Sequence, residues 1–210
     1  MNRIEFIAEL TKGYDVVLDI GSDHGLVLKY AFDKGYIKKG MASDINPNPL
    51  KAAQKTLTGY PVEFYLSNGF ESIDKTFDLA IITGMGPHLI SEILINRNNP
   101  NETYLLGPNQ KVYILREFLM QEGFEIIDEY VVYDGFYYCF LKVKKGRMQL
   151  TDAEKYIGPK LKTKKEAIPY YEHMVTHYEN LIPQLPTKLR KNNIEILNYF
   201  KETLNQLKNA

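Results

Sequence analysis

The sequence holds one cysteine, Cys139, in 210 residues. An intramolecular disulfide is therefore excluded, and no cluster of Cys with His has zinc-ligand spacing, so a reducing compartment, the cytoplasm, and no metal are expected. Net charge is also missing. The 26 Lys and Arg balance 26 Asp and Glu, which excludes a globally basic nucleic-acid coat and an acidic disordered segment and leaves any polyanion site to a local patch. No apolar run approaches the ~18 residues of a membrane span, and the opening MNRIEFIAELTKGYDVV has no export signal, so no membrane partner is expected. His173 and His177 lie four apart on one helical face, but HExxH is absent and no acidic third ligand is evident, which favours packing or exposure over a metal. Low-complexity segments and long repeats are absent too. What remains, at 44% hydrophobic, suffices for one sizeable domain and an appendage.

From Tyr14 to Lys145, short runs rich in Val, Ile, Tyr and Phe alternate with amphipathic stretches, the pattern of repeated βα units on a largely parallel sheet. Strands are predicted at about 15–20, 40–44, 62–66, 77–83, 103–107, 124–133 and 136–144. Helices are predicted at roughly 2–11, 25–35, 48–58, 88–95 and 110–122. Asp134-Gly135 accepts positive φ, so the last two strands form a tight antiparallel hairpin. Beyond Lys145 no strand pattern is found. Ile168, Tyr171, Val175, Tyr178, Ile182 and Leu185 repeat at coiled-coil period, Pro183 and Pro186 break the helix, and Leu197, Phe200, Leu204 and Leu207 resume the stripe. Two helices that fold back and zip together as an antiparallel coiled coil are expected, with a domain over 1–148 and the helical hairpin over 149–210. A chain stopped near Lys145 is expected to fold alone.

The first predicted strand runs into Gly21-Ser22-Asp23-His24-Gly25 and then into a helix, and glycines there let backbone approach a ligand closely. The spacing is Asp-x-Gly-x-x-x-Gly from Asp19, not the Gly-x-Gly-x-x-Gly that packs a dinucleotide pyrophosphate. A ligand without that group fits better. Asp44, followed by Ile45 and Asn46, ends the second strand and can accept both hydroxyls of a ribose; Asn68-Gly69 ends the third and Gly84-Met85-Gly86 the fourth. All four lie where ligands bind in open α/β sheets. They point to S-adenosylmethionine (SAM), its amino-acid part by the glycine loop and its ribose at Asp44. An NAD enzyme is disfavoured.

The run Asp19-Ile20-Gly21-Ser22-Asp23-His24-Gly25, with Gly84-Met85-Gly86, Pro108-Asn109 before Leu115-Arg116-Glu117-Phe118-Leu119, and a two-helix tail, resembles the bacterial tRNA (adenine-22-N1)-methyltransferase family over nearly the whole chain. The resemblance implies a Rossmann-like, seven-stranded class I methyltransferase sheet with a C-terminal coiled coil, SAM as cofactor and tRNA as partner. Three positions depart from the family's usual pattern: Pro87 stands in place of Gly, Gly107 in place of Gln, and Asn68 in place of Asp.

Adenine N1 is already a nucleophile, so methyl transfer needs positioning more than covalent catalysis. It lies on the Watson–Crick edge, so the base must be unpaired or extruded. Asp23 is the candidate to stabilise the cationic product, with helix capping as its plainer role. His24 lines the cofactor loop, and Asn109 can hold the target base by its amide. Between Lys142 and Lys165 there are nine basic residues (Lys142, Lys144, Lys145, Arg147, Lys155, Lys160, Lys162, Lys164, Lys165) against Asp152 and Glu154; they are expected to form a flank beside the SAM cleft that takes RNA phosphates. A monomer is expected. The rival readings are a small-molecule methyltransferase, which would need a lid over a closed pocket, and an inactive methyltransferase-like binding module, which would not need the intact glycine loop.

Overall fold

The computed structural model describes residues 1–209; Ala210, the end of the expected hairpin unit, lies outside them. Seven strands, β1 Val16–Ile20, β2 Lys39–Asp44, β3 Val62–Leu66, β4 Leu79–Met85, β5 Thr103–Pro108, β6 Phe124–Asp134 and β7 Phe136–Lys145, form one sheet in the order β3-β2-β1-β4-β5-β7-β6. The first five run parallel, and β7 enters antiparallel between β5 and β6. Each expected strand is present; β1 and β4, rich in Val, Leu and Ile and buried along most of their length, suit the interior of a parallel sheet.

Alternate residues of β1 and β4 feed opposite faces. Leu18, Ile20, Ala80 and Ile82 pack with Ile90 and Leu94 of α4 (Pro87–Leu94) and with Leu115 and Leu119 of α5 (Val112–Gln121). Val17, Leu79 and Ile81 pack with Ile7 of α1 (Arg3–Glu9), Leu28 of α2 (Leu26–Asp33) and Ala53 of α3 (Pro47–Thr56). Helices thus cover both faces, and the carboxyl ends of β1 to β5 are left as one open edge.

The tail comprises α6 (Asp152–Ile157), α7 (Ile168–Leu181) and α8 (Thr187–Asn209), with Pro183 and Pro186 in the turn before α8. Thr151 and Glu154 close a capping box at the start of α6, which fixes where this first tail helix begins. The ion pairs Glu172–Lys208 at 2.6 Å and Glu179–Lys201 at 2.7 Å show that α7 and α8 run antiparallel. The predicted seams meet where Tyr171 and Tyr178 approach Phe200, with ring centroids 6.1 and 5.6 Å apart. Ile182 and Leu185, also assigned to the seam, lie half-buried at the turn and outside this cluster.

The tail does not stand off from the sheet. Its buried Ile157, Leu161, Tyr170, Tyr171 and Phe200 share one apolar cluster with Cys139 of β7 and with Val131, Tyr137 and Val112. A buried ion pair clamps the same junction. Arg116 Nε on α5 donates to Glu129 Oε1 on β6 at 2.7 Å, both side chains being essentially solvent-free. Arg116 Nη1 donates to the carbonyls of Lys155 and Tyr156, each at 2.9 Å, and Glu129 Oε2 accepts the backbone N–H groups of Lys160 and Leu161. Gly158, at φ 89°, passes so close that a Cβ there would sit 2.6 Å from Glu129 Oε2. Burial works against the Arg116 charge, but Glu129, with Cys139 and Tyr170, outweighs it and holds the guanidinium above its ordinary pKa. A cut near Lys145 would uncover Cys139, Val112, Val131 and Tyr137, which pack against the tail, and would strip four hydrogen bonds from a buried ion pair.

Candidate active site

The loop after β1 is shaped by backbone conformations that few side chains tolerate. Gly21 (φ 75°), His24 (φ 60°) and Gly25 (φ 67°) all have positive φ. At Gly21 a Cβ would lie 2.4 Å from Met85 Cε, and at Gly25 one would lie 2.7 Å from Leu57 Cδ1. The first glycine therefore brings the β1 loop against the β4 loop, and the second lets α2 close on α3. Gly21 and Ser22 N–H both donate to the Ser43 carbonyl, at 2.8 and 3.0 Å, which locks this loop to the end of β2.

A cleft of about 270 Å³ opens on that edge, lined by Gly21, Asp44, Ile45, Asn46, Asn68, Gly69, Gly84 and Met85 among the predicted residues. Ile20, Ser67, Thr83, Leu89 and Ile93 also line it and were not anticipated. Leu89 and Ile93 are four apart on α4, so they share a face; their signal was the helix start directly after Gly84-Met85-Gly86. Asp44 is 8% exposed, and its Oδ1 accepts the Asn46 N–H at 2.8 Å, leaving its other oxygen as an acceptor at the cleft. Asn68 Nδ2 donates to Glu71 Oε1 at 2.9 Å, which engages the amide donor within its own turn.

Asp19, Ser22 and Gly25 are buried behind the lining rather than in it. Burial pushes the Asp19 carboxyl up to about 6, the adjacent Ser22 offsets part of that rise, and the charge of Asp44 adds to it. The Ser22 and Ser43 hydroxyls are buried without a hydrogen-bond partner among the described residues. This edge therefore holds a carboxyl of raised pKa and two buried hydroxyls.

Asp23 and His24 do not line the cleft; they stand exposed in the loop after β1, 3.3 Å apart (His24 Nε2 to Asp23 Oδ1) with side chains 74% and 61% exposed. The plainer role for Asp23, capping the next helix, is not observed: the cap of α2 is Gly25 and no side-chain capping bond is made. Across the edge, Asn109 N–H donates to the Met85 carbonyl at 2.9 Å and Asn109 Nδ2 to the Gly84 carbonyl at 2.8 Å. Its amide oxygen is left to accept a hydrogen bond. Gly107 has a physical reason to be glycine, since a Cβ would lie 2.7 Å from the ring of Phe140. Pro87 opens α4 at the first helical position, where a missing N–H costs nothing.

The basic residues do not gather as expected. β7 is antiparallel to β5, and Lys144 pairs with Thr103 at the start of β5, so Lys142, Lys144, Lys145 and Arg147 lie at the end of the sheet opposite the cleft. Lys142 sits over the Tyr14 and Tyr130 rings, and burial lowers its pKa. Lys145 lies 3.8 Å over Phe124. Lys162 pairs with Glu154 at 2.8 Å and Lys164 with Asp128 at 2.7 Å. Lys144, Arg147, Lys160 and Lys165 are exposed and, among the described residues, make no ion pair.

The family description "tRNA (adenine(22)-N(1))-methyltransferase" (TrmK) matches residues 17–209. The tRNA (adenine(22)-N(1))-methyltransferase of Bacillus subtilis (strain 168) is 27% identical over 93% of this chain and 91% of its own length. A Streptococcus agalactiae protein of the NADB-Rossmann superfamily superposes with TM-score 0.86 at 26% identity, over 97% of this chain and 96% of that one. A Streptococcus pneumoniae protein solved in complex with S-adenosyl-L-methionine gives TM-score 0.82 at 25% identity, over 97% of this chain and all of that one.

Proposed function

From a chain that belongs to the tRNA (adenine(22)-N(1))-methyltransferase family, we infer a class I, SAM-dependent enzyme that methylates N1 of adenine 22 in tRNA. The observation that carries this into chemistry is the cleft at the carboxyl ends of β1 to β4, where Asp44 keeps an acceptor oxygen beside a glycine loop. These residues fit SAM. The Asp44 carboxylate suits vicinal ribose hydroxyls, the Gly21 turn admits close backbone approach, Ile45, Leu89 and Ile93 offer apolar walls for an adenine ring, and the buried Asp19 and Ser22 lie under the loop where an amino-acid headgroup would rest.

SAM bound here supplies an electrophilic methyl group on its sulfonium. The protein's contribution is then orientation. Asn109, its Nδ2 engaged by Gly84, presents an oxygen suited to the exocyclic amine of an extruded adenine, which would aim N1 at the methyl group. Asp23, exposed and free of capping duty, is suited to stabilise the positive charge that methylation places on the base, with His24 beside it. In this reading residues 1–148 hold cofactor and base, and 149–210 contribute the tRNA-binding surface. The enzyme is read as a cytoplasmic monomer, since the hairpin already covers its apolar seam with its own helices and the sheet.

The test is incubation of the full chain with unmodified tRNA and labelled SAM, followed by nucleoside mass spectrometry and mapping of the modified position. One methyl group per tRNA, as N1-methyladenosine at position 22, is the expected result. Absence of that nucleoside, or its appearance elsewhere, overturns the reading.

A further inference from the structure

A second cavity, of about 640 Å³, opens next to Asn109 and plays no part in holding the cofactor. The loop after β5, the tip of the β6–β7 hairpin and the near face of α7 build most of it, with Arg3 of α1 at its border. At the tip, Phe136 is 75% exposed and Tyr133 is 61% exposed. Large aromatic rings left mostly in water on both sides of a tight Asp134-Gly135 turn form an exposed apolar patch of the kind that marks a binding surface. From Tyr133 the rings continue inward: Tyr133 meets Tyr137 edge-on at 5.1 Å, and Tyr137 meets the His173 imidazole at 5.1 Å.

Charge decides what the groove can hold. Arg3 and Lys111 line it together with His173 and His177, and among the described residues no carboxylate does. The nearest acid at the tip, Asp134, accepts the Arg3 backbone N–H at 2.9 Å. Lys111 is exposed and is held at φ 52°, an unusual conformation for a side chain with a Cβ. Stacking faces bordered by cations suit unpaired nucleotides, whose bases stack on aromatic rings irrespective of sequence and whose phosphates need positive partners.

Resting on the tRNA-methyltransferase reading above, we propose that this groove binds the unpaired nucleotides flanking the target adenine, with Phe136 and Tyr133 as stacking platforms and Arg3 and Lys111 as phosphate contacts. Extruding one base leaves its neighbours unstacked. A platform adjoining Asn109 restores that stacking and keeps the base out of the helix. Phe136 and Tyr133 are thus positioning residues that act on RNA and not on the cofactor.

The chain has no tryptophan, so Phe136→Trp places a single reporter at the tip. In the full-length protein, Phe136→Ala and Tyr133→Ala are each expected to raise the Kd and KM for unmodified tRNA about tenfold, equal to about 1.4 kcal/mol, with SAM affinity unchanged. Phe136→Trp is expected to keep tRNA affinity, and its emission is expected to be quenched by tRNA but not by a blunt, fully paired RNA duplex. Unchanged tRNA affinity in Phe136→Ala, no quenching at saturating tRNA, or equal quenching by the duplex overturns the proposal. Methylation by the unaltered chain separates the two ideas. If N1-methyladenosine 22 forms normally and Phe136→Ala is silent, the groove fails alone; if tRNA quenches the reporter but no such nucleoside forms, the groove stands and the assigned reaction fails.

Discussion

Replacing Glu129 by Gln is expected to loosen the junction of sheet and tail while leaving the cofactor cleft intact. Glu129 Oε1 receives the Arg116 guanidinium at 2.7 Å, and Oε2 receives two backbone N–H groups from the tail at 2.8 and 3.0 Å. A glutamine can keep one acceptor oxygen, but its NH2 must then face either the guanidinium or the two N–H donors. The Arg116 charge stays buried without a counter-charge, and breaking one side of such a pair costs about 3–5 kcal/mol. For a chain of this length each kcal/mol moves Tm by about 2–4 °C, so a fall of roughly 6–20 °C is expected. The assay is calorimetric or circular-dichroism melting of the variant, of Arg116→Met and of the double variant. Because the double variant removes both charges, it is expected to be more stable than the two single losses added together, by roughly 1 kcal/mol or more. The clamp holds the tail rather than the cleft, so SAM affinity is expected to survive below the melting temperature while tRNA affinity falls. A Glu129→Gln protein that melts within about 1 °C of the unaltered chain, or single losses that simply add, would refute the reasoning.

Asp44→Ala is expected to lose most SAM affinity in a folded protein. One or two charge-assisted hydrogen bonds at about 1.5–3 kcal/mol each amount to roughly one to four decades in Kd, and unchanged affinity by titration calorimetry removes Asp44 from the site. Asp23→Ala is expected to lower kcat on tRNA more than it weakens SAM binding, because its charge matters most as the base becomes cationic; equal losses in both would make it a binding residue only. Neutralising Lys160 and Lys165 together is expected to weaken tRNA binding and to flatten its dependence on salt by up to about one unit of slope per phosphate contact. The same change at Lys144 and Arg147, at the opposite end of the sheet, is expected to leave both quantities unchanged. Filter-binding titrations across salt concentrations check this, and equal effects of the two pairs would place the RNA on a different face.

What the sequence determined by itself is what contiguous residues control. Gly21, Gly25 and Gly84 mark loops at strand ends and Asp134-Gly135 a tight turn, and Gly21, Gly25, Gly84 and Gly135 all adopt positive φ. The apolar runs announce strands, and Asp44 follows its strand directly to the ligand edge. These features were legible because φ preferences and periodicity act over a few neighbouring residues. The direction in which β7 enters the sheet was not legible in this way. The hairpin was evident, but only the pairing of Lys144 with Thr103 shows that the lysines ending β7 lie away from the cleft. Nor could Arg116 be told from an exposed helical arginine, since its partners are Glu129, thirteen residues on, and carbonyls about forty residues on. The aromatic groove likewise exists only once α7 is laid against the hairpin tip. Charge pairing, burial and cavity shape depend on which surfaces meet, and distant segments acquire those neighbours only when the tertiary structure closes.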